Sequence, residues 1–203
     1  MKIFCVGRNY SEHAKELNNA VPESPVIFMK PATALLKDGA PFYYPEFSKS
    51  IHYECELVIK INKNGKHIQE KFARKYFDEI TVGIDFTARD IQNNLKAKGL
   101  PWELAKGFDG SAVLGNFIPM ENLSLENGIH FSLKKNDTVV QQGNSNDMIF
   151  SIEKIIAFVS SYFTLQKGDL IYTGTPAGVG EVAIGDTLQG FIGDTLLMQC
   201  VVK

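Results

Sequence analysis

Two glutamates, Glu54 and Glu56, stand just ahead of the apolar run Leu57, Val58 and Ile59 in the stretch SIHYECELVIKI, residues 50–61. In a strand, side chains alternate between faces. His52, Glu54 and Glu56 then share one face, and Ile51, Tyr53, Cys55 and Leu57 the other. Same-face neighbours lie about 6.6 Å apart along a strand. Two buried carboxylates at that spacing either repel each other or grip one cation. A third carboxylate, Asp85, ends another apolar run, ITVGID, just before a helix start. Three carboxylates without clustered Cys or His are donors suited to Mg²⁺ or Mn²⁺ rather than to zinc. The plainer alternative is a pair of solvated glutamates on the outer face of an edge strand.

Other chemistry-bearing residues come in pairs at helical spacing. His13 and Glu16 are three apart in SEHAKELNN, so Glu16 can orient or charge-balance the imidazole if this stretch is helical. Arg89 and Gln92, also three apart, share a helix face that points back toward Asp85. For both pairs a solvated surface helix is the bland alternative. Lys30 (FMKP) and Lys106 (LAKGF) each follow an apolar stretch, where a lysine often lies along an apolar surface with its head in water. The glycine-rich TGTPAGVG, residues 173–180, lacks the G-x-x-x-x-G-K-[ST] pattern, and Pro176 removes a backbone donor. It reads as a tight turn, not a nucleotide site. His67 and His130 lie in polar, turn-like stretches and are assigned no role.

These residues need elements to hold them. IFCVG reads as a short strand, followed by a helix with Ser11 as its N-cap. SPVIFMKP is a strand stopped by Pro31, and ITVGIDFT another. TARDIQNNLKAKGLP reads as a helix, with Thr87 and Asp90 as a capping-box-like pair and Gly99 and Pro101 marking its end. SIEKIIAFVSSYF is a second helix, with Ile152, Ile155, Ile156 and Val159 on one face. In the last forty residues, Gly-Asp pairs at 168, 185 and 193 separate short alternating runs, the signature of successive hairpins. The fold class is α+β, β-rich with few helices.

Composition narrows the function classes. A chain of 203 residues is ample for a core and suits a single domain. With 21 Lys+Arg against 23 Asp+Glu, the net charge of −2 gives no footprint for nucleic acid or an anionic membrane surface. No run of about 18 apolar residues exists to span a bilayer, and the opening MKIFCVG is too short to be a signal peptide. The three scattered cysteines fit a reducing cytoplasm as buried small hydrophobes.

Five blocks in order then carry a resemblance: GRNYSEHAKE, HYECEL, GIDFTARDIQ, KGLPWELAKGFD and TGTPAGVG. They resemble the signature segments of the fumarylacetoacetate hydrolase family, over essentially the whole chain. The likeness is greatest to short single-domain members acting as acylpyruvate hydrolases and oxaloacetate decarboxylases. The resemblance implies a mixed β-sandwich roll like that family's C-terminal domain, spanning 1–203 as one catalytic domain. Its lid segment runs over about 9–24. It also implies one Mg²⁺ or Mn²⁺ per subunit, held by Glu54, Glu56 and Asp85, with Val6 standing where longer members place a fourth ligand.

By the same resemblance, Arg89, Gln92, Lys30 and Thr175 bind substrate. Lys106 meets the developing negative charge, His13 with Glu16 activates water from the lid, and His52 supports the metal ligands from behind. The implied enzyme is a cytoplasmic homodimer that cleaves a carbon–carbon bond in acylpyruvate-type 2-oxo acids and also decarboxylates oxaloacetate. The runner-up is an isomerase or tautomerase of 2-hydroxy-dienoates or oxaloacetate-type acids. A non-catalytic module that holds 2-oxo acids is a rival from another class. One departure is GSAVLGNF after AKGFD, where many relatives carry a Cys-Pro segment; it bears on substrate identity.

Overall fold

The computed structural model describes residues 1–16, 21–36 and 39–203. A curled mixed sheet of eight strands forms its centre. In spatial order run Val26–Lys30, Ile3–Gly7, Leu170–Tyr172, Cys55–Ile61, Phe77–Asp85, Ala112–Leu114 and Leu35–Leu36, with Ile118–Pro119 also pairing to Phe77–Asp85. The middle strands are buried along most of their length, which explains their near-continuous apolar sequence. Sheets of four and three strands complete the β-structure. The first runs Thr138–Asn144, His130–Lys135, Thr187–Ile192 and Thr195–Val201; the second runs Gly180–Glu181, Ile51–Tyr53 and Thr87–Ala88.

The two longer expected helices sit where their sequence signals put them, with differences at the caps, while the short helices Glu70–Ala73 and Glu103–Lys106 were not expected. Helix Ile152–Tyr162 buries Ile152, Ile155, Ile156 and Val159, and Ser151 caps it by accepting from the Lys154 amide at 3.2 Å. Helix Arg89–Ala97 ends ahead of Gly99, whose φ of +65° is the left-handed conformation that glycine supplies at helix ends. Its start is not the expected capping box: Ala88 is the N-cap, and Thr87 belongs to a strand. Asp90 instead accepts from Ser48 Oγ at 2.7 Å and the Lys49 amide at 3.0 Å, so it ties the helix to the preceding loop. Ser11 is the first residue of helix Ser11–Glu16. The rest of that expected helix, and part of the expected lid, falls on residues 17–20, outside the described residues.

The C-terminal Gly-Asp pairs differ from expectation too. Only Gly193-Asp194 closes a hairpin, between Thr187–Ile192 and Thr195–Val201. Gly168-Asp169 leads into Leu170–Tyr172, which joins the large sheet between residues from far earlier in the chain. A hairpin that composition did not suggest joins His130–Lys135 to Thr138–Asn144 through Asn136 and Asp137, both at positive φ.

Candidate active site

The site is built where two neighbouring central strands end. Strand Ile51–Tyr53 belongs to the three-stranded sheet and Cys55–Ile61 to the eight-stranded one, so the chain changes sheets at Glu54. Strict alternation from His52 to Glu56 is therefore broken at Glu54. The pairing carries on across the break, because the Asp85 amide donates to the Glu54 carbonyl at 2.8 Å. Glu56 faces Gly83 on the neighbouring strand. A Cβ at Gly83 would stand 2.6 Å from the Val113 carbonyl and 2.8 Å from the Tyr172 ring, so only glycine fits there.

Glu54, Glu56 and Asp85 are all buried, and ligand-capable oxygens of the three lie within 4.8 Å of one another. Solvated edge-strand glutamates are thereby excluded. Cations and amides surround the cluster. Lys106 Nζ donates to Glu54 Oε2 at 2.8 Å and to Asp85 Oδ2 at 2.7 Å. Arg89 donates to Glu54 Oε1 at 2.5 Å and to Gln92 Oε1 at 2.6 Å. The Gly174 amide donates to Glu56 Oε2 at 2.7 Å.

The electrostatics differ from residue to residue. For Glu54, burial alone would raise the pKa, but the neighbouring charges of Lys106 and Arg89 outweigh it and hold the carboxyl ionised. Glu56 is pushed well above the usual carboxylate range by burial first, and then by the charges of Asp85 and Glu54. For Lys106, burial works against the charged form, yet Asp85 and Glu54 outweigh it and raise the pKa.

These residues fit a divalent cation on two observations. The donor set is all carboxylate, the chemistry that Mg²⁺ and Mn²⁺ prefer. Asp85 Oδ1 is buried without a hydrogen-bond donor among the described residues, although Lys30 Nζ lies 2.7 Å away out of hydrogen-bonding line. Glu56, repelled by its neighbours, is the carboxyl such an ion would relieve.

Beside Glu54 and Glu56 opens a cavity lined also by Lys106, Arg89, Gln92, Thr175 and His13, with Val6, Gly7, Arg8, Lys96, Phe28 and Trp102 completing its wall. His13 is buried, with Nδ1 3.1 Å from Glu16 Oε2. The Gly178 amide donates to Glu16 Oε1 at 3.1 Å, so the His–Glu pair is fastened to the glycine-rich loop. The Thr175 hydroxyl donates to the Cys55 carbonyl at 2.8 Å.

Two residues sit away from their expected places. Lys30 is fully buried and does not line the cavity. Its ammonium bonds to the Lys106 and Ser111 carbonyls and to Ser111 Oγ at 2.9 Å, and pairs with Asp85 from beneath. His52 faces Ser50 Oγ at 3.2 Å and Glu181 at 3.7 Å rather than the carboxylates.

Sequence reasoning missed Gln141. This buried side chain accepts from the Cys55 amide at 2.9 Å and donates to Thr175 Oγ1 at 2.9 Å and to the Pro176 carbonyl at 3.0 Å. It thus pins the glycine-rich loop to the strand carrying Glu56. The strand carrying Gln141 does not alternate cleanly, since Val139 two residues earlier is exposed and the pairing shifts register between them, so no local pattern marked it. Arg8, in the quoted GRNY block, was also overlooked.

Residues 2–200 match the family model described as fumarylacetoacetate (FAA) hydrolase C-terminal. The chain belongs to the fumarylacetoacetate hydrolase family. Among curated members of this family, it is 41% identical over 201 residues to the mitochondrial oxaloacetate tautomerase FAHD1 of Bos taurus, covering 99% of this chain and 91% of that protein. It is 42% identical over 189 residues to the mitochondrial oxaloacetate decarboxylase of Dictyostelium discoideum, covering 93% and 87%. The crystal structure of fumarylpyruvate hydrolase from Pseudomonas aeruginosa, in complex with Mn²⁺ and pyruvate, superposes with a TM-score of 0.93 at 34% identity, covering 100% of this chain and 89% of that one. The β-rich fold read from the sequence is the family's fold. Among the described residues no helix is long and apolar enough to cross a membrane.

Proposed function

We propose that this chain is a divalent-cation-dependent enzyme that generates and protonates the enolate of a small 2-oxo acid, with oxaloacetate as its foremost substrate. The observation that carries the reading is the convergence of Glu54, Glu56 and the buried Asp85, with Glu54 and Glu56 lining a cavity that His13, Lys106 and Arg89 also line. The names of the 41% and 42% identical relatives favour oxaloacetate, and so move tautomerisation and decarboxylation ahead of the hydrolysis expected from sequence.

Glu54, Glu56 and Asp85 would hold one Mg²⁺ or Mn²⁺ per subunit, which when bound polarises a 2-oxo carbonyl as a Lewis acid. Lys106, kept charged by two carboxylates, stabilises the negative charge that develops on the enolate oxygen. His13 has its Nδ1 toward Glu16, which leaves Nε2 to move a proton at the substrate's C3. Arg89, Gln92 and Thr175 position the substrate. Lys30 orients Asp85 from below instead of touching substrate. Residues 1–203 act as one catalytic domain, and the working unit is a homodimer, which light scattering on the purified protein tests directly.

A second reading, hydrolysis of acylpyruvates, has specific support in the His13–Glu16 pair, since an oriented imidazole can equally take a proton from water. The fumarylpyruvate hydrolase neighbour points the same way. One panel separates the readings: oxaloacetate enol–keto conversion, oxaloacetate decarboxylation and acetylpyruvate cleavage, each with Mg²⁺, with Mn²⁺ and with chelator. Turnover of oxaloacetate that survives chelation would overturn the metal-dependent reading. Cleavage of acetylpyruvate faster than any reaction of oxaloacetate would make hydrolysis the main activity.

A further inference from the structure

The cavity is rich in basic side chains. Three basic residues line it, Arg89, Arg8 and Lys96, apart from Lys106 on the floor. Arg89 is engaged by Glu54 and Gln92. Arg8 has a different situation. It follows strand Ile3–Gly7 with φ of +62°, a left-handed conformation uncommon for a residue with a side chain and of the kind held at functional sites. Its guanidinium lies 6.0 Å from the Trp102 ring centroid, and Trp102 packs edge-on to Phe28 at 5.9 Å. Among the described residues no carboxylate pairs with Arg8. Arg8 and Lys96 are close enough for the charge of Arg8 to disfavour the ammonium of Lys96, after the larger effect of burial.

A guanidinium that lines a cavity without a carboxylate partner among the described residues suits an entering anion. The carboxylates on the floor do not answer it. They already face Lys106, Lys30 and Arg89, and a divalent cation would add to their neutralisation. A 2-oxo acid bound by its 2-oxo-carboxylate end at the floor directs its other end along the same cavity. The lining there includes Phe28 and Trp102 as apolar surface and Arg8 and Lys96 as polar groups.

We infer that Arg8, braced on Trp102 and accompanied by Lys96, forms a subsite for a second carboxylate at the far end of the substrate, making Arg8 the residue that selects 2-oxo dicarboxylates over 2-oxo acids with an uncharged end. The inference rests on the 2-oxo acid reading above and extends it to a specificity-determining residue. A guanidinium held against an aromatic face suits the task, because its planar fork binds a carboxylate through two parallel hydrogen bonds and loses little freedom in doing so. The energetic lever is also the right one. A site arranged to pair a charged group discriminates strongly against an analogue that lacks it.

The test compares oxaloacetate with acetylpyruvate, whose far end is an uncharged methyl ketone, in the Mg²⁺-loaded parent, Arg8→Gln and Arg8→Lys proteins. The readout is the ratio of kcat/KM for oxaloacetate to that for acetylpyruvate. Alongside it runs competitive inhibition by 2-oxobutanoate, the analogue of oxaloacetate with methyl in place of the far carboxylate. Arg8→Gln is expected to lower the ratio about tenfold or more, chiefly through the KM for oxaloacetate, with Arg8→Lys intermediate. Inhibition by 2-oxobutanoate is expected to weaken far less than the KM for oxaloacetate rises. An unchanged ratio in a folded Arg8→Gln protein overturns the subsite while leaving the 2-oxo acid reading intact. A parent that neither turns over these acids nor binds 2-oxobutanoate overturns that reading, and the subsite falls with it. Should Arg8→Gln fail to fold, Arg8→Lys decides alone: a ratio equal to the parent's with an equal response to salt counts against a guanidinium–carboxylate fork.

Discussion

The Arg89 guanidinium is hydrogen-bonded to Glu54 Oε1, so a residue expected to hold substrate also holds an expected metal ligand. Lys106 takes the other oxygen of the same carboxylate. Glu54 is therefore fixed by two cations before any ligand arrives. Groups that orient a ligating carboxylate typically matter 10–100-fold in affinity or activity.

Arg89→Ala should consequently do more than raise KM. We expect kcat/KM on oxaloacetate to fall by roughly 10–100-fold together with weaker Mn²⁺ binding. Calorimetric titration of Mn²⁺ into parent and variant checks this. Tighter Mn²⁺ binding in the variant would mean that the repulsion between guanidinium and cation outweighs the orientation Arg89 provides.

Lys30 provides a contrast between architecture and binding. Its ammonium is buried beneath Asp85 and bonded to the carbonyls of Lys106 and Ser111. Lys30→Met should destabilise the fold by about 3–5 kcal/mol, the usual cost of leaving one member of a buried ion pair alone. Urea unfolding measures it. A variant of parental stability with only a raised KM would return Lys30 to the substrate-binding role expected from sequence.

His13 separates proton transfer from electron withdrawal. His13→Ala should slow enol–keto conversion of oxaloacetate and cleavage of acetylpyruvate by roughly 10²–10⁴-fold. Decarboxylation, which needs chiefly an electron sink, should lose less. Glu16→Gln should act in the same direction but more weakly, because it keeps a hydrogen-bonding partner for the imidazole and removes only the charge. Parental rates of both proton transfers in His13→Ala would assign the base elsewhere.

Asp90 predicts a pH dependence away from the metal ligands. Burial is the largest single influence and works against its charged form, but bonds from the Lys49 amide, the Ser48 hydroxyl and the Ile91 amide together outweigh it and hold the carboxyl below the usual range. A carboxyl depressed on folding stabilises the protein above its unfolded pKa of about 3.9, and that contribution is lost as pH falls through the folded value. Asp90→Asn should lower Tm at pH 7, with the gap to the parent closing as pH drops below about 4. A constant gap across that range would show that the carboxylate charge contributes nothing at this position.

Much of the site was legible in the chain because its components are local. The strand Ile3–Gly7, the strand ending at Asp85 and the helix from Arg89 follow from apolar runs and their terminators. The pairs His13/Glu16 and Arg89/Gln92 follow from helical spacing, and both are bonded to each other as that spacing requires. Carboxylate donors at two strand ends already pointed to a hard cation. What sequence could not supply depends on contacts between distant residues. Gln141 reaches Cys55 from 86 positions away, and the Gly174 amide reaches Glu56 across 118. Asp90 looked like one half of a local cap because its real partners, Ser48 and Lys49, lie some forty residues upstream. Lys30 read as a candidate substrate binder until the sheet placed it under Asp85. Local periodicity decides which residues share a face. Only the closed sheet decides which faces meet, because the free energy of burying a charge depends on the partners that long-range folding brings to it.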